Sequence, residues 1–105
     1  MSEPLPRELL ITMTDIATQL YSDLAIPPGE LLGEELEARG LSQRELARRM
    51  GRPAPLVSEI VRGKRAITPE TALQLESVLE IPASLWVGLE AKYRLTLARN
   101  SVRSA

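Results

Sequence analysis

The side chains in this sequence best equipped for chemistry are its arginines and lysines, and they cluster. The 105 residues include no Cys and no His, so the thiolate nucleophile, a frequent metal ligand and the commonest neutral-pH general acid or base are missing. Catalysis is therefore not expected, and no catalytic residue, metal ligand or cofactor is assigned. Between Ser42 and Arg65, seven basic residues (Arg44, Arg48, Arg49, Arg52, Arg62, Lys64, Arg65) stand against Glu45 and Glu59, a net of +5. Met1 to Leu41 carries −6 and Ala66 to Ala105 is neutral. A polyanion senses charge within a Debye length of ~8 Å at physiological salt. The local patch thus matters more than the overall charge of −1.

The elements that must position this patch are legible around it. From Leu41 to Arg65 the chain reads as two short helices joined by a tight turn. Ser42 suits the N-cap of the first, and Glu45 three residues later completes a capping-box pattern that would satisfy two free amides. Gly51 ends that helix, and Pro53 and Pro55 cannot continue it. A second helix begins near Pro55, with Leu56, Val57, Ile60 and Val61 at helical spacing, and Gly63 stops it. Helix, glycine turn, helix is the arrangement in which the second helix enters the major groove of DNA.

Taken in order, the remaining chain is also helical in pattern. Met1 to Pro6 is short, polar and broken by two prolines. Arg7 to Leu24 places Leu9, Leu10, Met13, Ile16, Ala17, Leu20, Tyr21 and Leu24 at intervals of three and four, which predicts an amphipathic helix that packs on its own domain or meets a partner. AIPPG, Ala25 to Gly29, forces an extended boundary. A helix follows to Ala38, its acidic face turned away from phosphates and Gly40 as its cap. Thr68, Pro69 and Glu70 open the next helix, which runs to Leu79 or Glu80 and buries some combination of Ala72, Leu73, Leu75, Val78 and Leu79. Pro82 opens the last, with Trp86, Leu89, Tyr93 and Leu97 on one stripe. No strand alternation, hairpin signal or solenoid repeat is present.

The expected fold is all-α: five helices over residues 26–99, an N-terminal extension at 1–25 with its amphipathic helix, and a polar tail at 100–105. The core must be aliphatic, since the chain has no Phe, one Trp and two Tyr. Neither a signal peptide nor a membrane span is expected, because Asp15, Gln19 and Asp23 interrupt the apolar residues near the N-terminus. The lack of Cys makes a cytoplasmic setting the default expectation.

Two runs, IPPGELLGEELEARGLSQRELARRMG and VSEIVRGKRAITPETALQLESVLEIPASLWVGLEAKYRL, resemble the HigA-type antitoxins, members of the phage-repressor-like (XRE) helix-turn-helix family. The likeness covers about Ile26 to Leu97. Its specific parts are PGE-x-L at Pro28 to Leu31, SEI-x-x-GKR-x-I-T at Ser58 to Thr68, and W-x-x-L-x-x-x-Y at Trp86 to Tyr93. The resemblance implies a five-helix domain that binds double-stranded DNA at its own operator as a homodimer, represses transcription there, and neutralises a cognate toxin, in this family usually a ribonuclease. Alternatives are a stand-alone repressor, or a protein-interaction module with little specific DNA binding. The sequence departs from the family pattern at Pro53, Ala54, Pro55 and Leu56, where relatives carry polar base-reading residues.

Residue by residue, Ser42 is a cap or a DNA contact, and Gln43 and Arg44 reach phosphate beside the amides of a helix start. Leu56 is a candidate for a thymine methyl, and Ser58, Glu59, Arg62 and Arg52 for base edges. Lys64 and Arg65 form a phosphate clamp. With so few hydrogen-bonding groups at the start of the second helix, phosphate and shape recognition should carry a larger share than usual. Leu46, Ala47, Met50, Val57 and Ile60 are assigned to the core. Trp86, Leu89 and Tyr93 are assigned to the dimer interface, ordinary core being the alternative, because paired half-sites call for a two-fold partner.

Overall fold

The computed structural model describes residues 25–104, and in them every regular element is a helix. There are five: α1 (Pro28–Arg39), α2 (Gln43–Met50), α3 (Ala54–Val61), α4 (Pro69–Leu79) and α5 (Ala83–Ser104). The amphipathic helix expected within Arg7 to Leu24 lies outside the described residues. The all-α, five-helix expectation for the rest is met, with element boundaries within a residue or two except at the end of α5. That helix spans 22 residues. It continues through Asn100–Ser104, which the sequence reading treats as a polar tail, because no Gly or Pro after Pro82 other than Gly88 interrupts it.

Local chemistry accounts for the helix ends. Pro27 sits at φ −67°, ψ 143°, and Pro28 occupies the first turn of α1, where its missing N–H costs nothing. The Oγ of Ser42 accepts the Glu45 amide at 3.0 Å, capping α2. Gly51 closes α2 at φ 69°, a left-handed conformation that would strain a side chain. The amides of Gly51 and Arg52 then return to the carbonyls of Arg48 and Ala47. Thr68 caps α4 by accepting the Thr71 amide at 3.2 Å, with Pro69 in the first turn.

The five helices share one aliphatic core: Leu32 and Leu36 from α1, Leu46, Ala47 and Met50 from α2, Leu56, Val57 and Ile60 from α3, Ile67 from the following loop, Ala72, Leu75 and Leu79 from α4, and Trp86 from α5. Each large aliphatic side chain so buried contributes about 1.5–3 kcal/mol against exposure. Where α1 crosses α3 the two backbones lie close together. A Cβ on Gly29 would lie 1.7 Å from the Ile60 carbonyl oxygen, so only glycine lets α1 seat there. This gives the glycine of the PGE-x-L signature a steric purpose.

The core corrects two assignments. Trp86 has no exposed surface, so it anchors α5 to its own domain and offers nothing to a dimer partner. Leu56 is 7% exposed, placed one turn before Ile60 on the buried stripe of α3, and so is not available to a thymine methyl. Among the α4 positions considered for the core, Leu73 faces outward.

Candidate nucleic-acid interface

The turn between α2 and α3 sets the two helices of the motif against one another through Leu46, Ala47, Met50, Leu56, Val57 and Ile60. With those side chains inward, the outward residues of α3 are fixed by the 3.6-residue period. Ala54 and Arg62 are exposed and Ser58, midway between them, is half-buried; Pro55 and Glu59 flank this row. The face that would meet bases thus begins with Pro53, Ala54 and Pro55, none of which brings a side-chain hydrogen-bonding group. Hydrogen-bonding side chains enter only from Ser58 onward.

Several of the candidate contact residues are solvent-exposed. Gln43 and Arg44 are exposed in the first turn of α2, beside its capped N-terminus. Arg62 is exposed, and its Nε lies 3.3 Å from the Ser58 carbonyl oxygen. Lys64 and Arg65 follow in the loop after α3, both exposed. Among the described residues, Arg44 and Lys64 make no ion pair.

Other side chains are already engaged. The Glu59 carboxylate accepts from Arg65 Nε at 2.6 Å, which ties the loop back to α3 and offsets one cation of the proposed clamp. Arg52 turns toward α4, its Nη1 donating to Gln74 Oε1 at 3.2 Å with Glu70 3.9 Å away. This makes Arg52 a strut between the motif and α4. Glu45 departs from the capping-box expectation. Its carboxylate turns forward to Arg48, whose Nε donates at 2.9 Å, and to Arg49 at 3.1 Å. Hydrogen bonds first from Arg48 and then from Arg49 lower its pKa to about 2, and Arg48 is raised in return. Neither arginine belongs to the predicted contact set, and the pairing offsets part of the charge they add to the surface.

The sequence reading missed Glu90. Its carboxylate is buried on α5, accepting the backbone N–H of Ile67 at 2.8 Å and the Nε of Arg94 at 2.8 Å. Ile67 lies two residues after Arg65, so α5 holds the end of that loop. A signal was available: Glu90 lies four residues after Trp86, in the buried register of α5, with Arg94 a further four on. The other two residues assigned to a dimer contact, Leu89 and Tyr93, are half-buried beside α1.

A helix-turn-helix family model matches residues 32–86, from the middle of α1 to Trp86. The chain belongs to the helix-turn-helix family. Among its relatives, virulence-associated protein I of Dichelobacter nodosus is 38% identical over 81 residues, 76% of this chain and 75% of its own. An uncharacterized HTH-type transcriptional regulator of Escherichia coli K12, YddM, is 33% identical over 75 residues, 71% of this chain and 80% of its own. In structure the chain is similar to HigA-type antitoxins. Antitoxin HigA of Pseudomonas aeruginosa, solved with the higBA promoter, aligns at a TM-score of 0.72 and 34% identity over 74% of this chain and 86% of that one. A HigA-family addiction module antidote protein of Coxiella burnetii aligns at 0.71 and 32% identity, over 75% and 87%. No helix among the described residues is long and apolar enough to cross a membrane.

Proposed function

We propose that this protein is a DNA-binding antitoxin that represses its own operon as a homodimer and neutralises a ribonuclease toxin. The observation that carries the DNA part is the surface of the motif. Gln43 and Arg44 at the start of α2, the outward row of α3 ending in Arg62, and Lys64 just beyond it are exposed on one two-helix unit. Cations and helix-start amides so placed suit duplex phosphates. A structural neighbour solved with promoter DNA supports the same reading. The toxin is inferred from the antitoxin names of the neighbours, and the homodimer from the spacing of half-sites about one helical turn apart.

The exposed Pro53, Ala54 and Pro55 bear on specificity. Bidentate hydrogen bonds to bases are worth about 1–3 kcal/mol of discrimination each, and this end of α3 supplies none. Selectivity then rests on Ser58 and Arg62, with Glu59 tied to Arg65, and on the shape of the duplex. A stand-alone repressor is the second reading, favoured by the relative described as a transcriptional regulator.

The test is a fluorescence-anisotropy titration of the protein on a labelled duplex from upstream of its own gene, beside a scrambled duplex, at two salt concentrations. The reading predicts tighter binding to the upstream duplex and a steep loss of affinity with salt. Equal, weak binding to both would overturn the repressor function. Co-purification with the product of the adjacent gene separates antitoxin from stand-alone repressor.

A further inference from the structure

Between the start of α1 and the middle of α5 runs a groove of about 540 Å³, lined by Ile26, Pro27, Leu31, Leu89, Tyr93 and Thr96, with Lys92 on its α5 side and Glu30 and Glu34 on its α1 side. Along α5 the low-exposure stripe continues from Leu89 through Tyr93 and Thr96 to Asn100, while Leu95, Leu97, Ala98 and Arg99 are exposed. From residue 89 to residue 100 the helix rises about 16 Å. Thr96 is only 3% exposed and its hydroxyl is bonded inward to the Lys92 carbonyl at 2.8 Å, so the stripe presents no free side-chain donor there.

We propose that this groove is the seat of the chain's own N-terminal stretch, residues 9–24, whose apolar positions Leu9, Leu10, Met13, Ile16, Ala17, Leu20, Tyr21 and Leu24 share one helical face. Continuity argues for this occupant over a second copy. Ile26 and Pro27 line the groove themselves, and Pro27 is extended, so residue 24 is delivered to the rim with no spare linker. A tethered segment meets its site at an effective concentration on the order of millimolar, which a second molecule must exceed. Sixteen residues of helix span about 24 Å, enough to follow the whole stripe. Charge sets the lie of the segment: Asp23, about a quarter-turn from the middle of the apolar face, fits the Lys92 and Arg99 side of α5 and is repelled by Glu30 and Glu34, while Asp15 lies opposite that face. Leu89 and Tyr93 are thereby assigned to a contact within one chain. The proposal does not depend on what the motif binds.

The full-length protein tests it by NMR, with methyl and aromatic labelling. Nuclear Overhauser contacts are expected from the Leu20 and Leu24 methyls to the Tyr93 ring and the Leu89 methyls. These contacts should be absent from an isotope-filtered spectrum of labelled protein mixed one to one with unlabelled protein. Contacts that survive the filter would place a second copy in the groove and overturn the proposal. Absence of the contacts in the fully labelled sample would overturn it as well.

Discussion

The carboxylate of Glu90 on α5 accepts the backbone N–H of Ile67 at 2.8 Å, joining the loop after α3 to the last helix through a buried hydrogen bond. The same carboxylate holds Arg94. Glu90→Ala would leave the Ile67 amide buried and unpaired, a loss of about 1–3 kcal/mol. Glu90→Gln keeps an acceptor oxygen and gives up only the charge, so its loss should be smaller. Urea denaturation of the two variants measures the difference, and faster amide exchange at Ile67 in Glu90→Ala would locate it. Equal stability of wild type and Glu90→Ala would show that the bond contributes nothing.

Gly29 offers a test of helix approach. Its added Cβ would meet the Ile60 carbonyl at 1.7 Å, whereas a Cβ on Gly33 meets only a Val61 methyl carbon at 3.4 Å. Gly29→Ala must push α1 off α3, and a loss of about 3 kcal/mol or more is expected, at the upper end for overpacking. Gly33→Ala should be neutral or stabilising by up to about 1 kcal/mol from helix propensity. Thermal melts of the pair discriminate backbone crowding from a general cost of replacing glycine in α1.

What could be read from the sequence was local, and what could not depended on which surface covers which. Ser42, Gly51, Thr68 and Pro69 act within one turn of their own position, so the ends of α2 and α4 follow from chemistry that needs no neighbour. Periodicity names a face without naming its partner. The stripe through Trp86 is thus assigned to a dimer contact on sequence, with core as the alternative, and only the packing of α5 on its own domain buries Trp86 completely. Leu56 differs for another reason: its place at the start of the second helix suggests a base contact, although its four-residue step to Ile60 already puts it on the buried stripe. Glu45 shows a competition that spacing alone leaves open, since a carboxylate three residues after a Ser can turn back to the cap or forward to arginines at 48 and 49.

Glu80 is the one non-glycine with positive φ among the described residues, at φ 60° after α4. A left-handed residue with a Cβ costs roughly 1–2 kcal/mol, partly offset on substitution by the greater freedom of glycine in the unfolded chain. Glu80→Gly should therefore stabilise the domain by about 0.5–1 kcal/mol, seen as a higher urea midpoint at unchanged slope. A lower midpoint would mean that the side chain of Glu80 makes up for its strained backbone.

The Glu45 pair predicts an acid dependence with a definite sign. Hydrogen bonds from Arg48 and Arg49 place its folded pKa at about 2, below the ordinary 4.5. A depressed carboxylate contributes stability above its unfolded pKa and loses it as the pH falls toward the folded one. The contribution should be complete above about pH 5 and fade between about 4.5 and 2. Because the pair is solvent-exposed, added salt should shrink it. Urea midpoints of wild type and Glu45→Gln across this range should converge at the acid end; parallel curves would show that Glu45 does not titrate abnormally.

The proposed DNA surface divides into residues whose loss should differ in kind. Arg44 and Lys64 are exposed without ion pairs among the described residues, so each has its full charge to give to a phosphate. Arg44→Ala or Lys64→Ala should weaken binding to the upstream and scrambled duplexes alike and lower the salt slope by about 0.9 for each phosphate lost. Arg62→Ala or Ser58→Ala should instead erode the preference for the upstream duplex, by about 1–3 kcal/mol where a base contact is lost. Leu56→Ala serves as the contrast. Its side chain lies in the core, so the variant should lose about 2–5 kcal/mol of stability while the folded fraction keeps its duplex preference. Should Leu56→Ala change the preference and leave stability intact, its placement in the core would be wrong, and the apolar start of α3 would have to read bases directly.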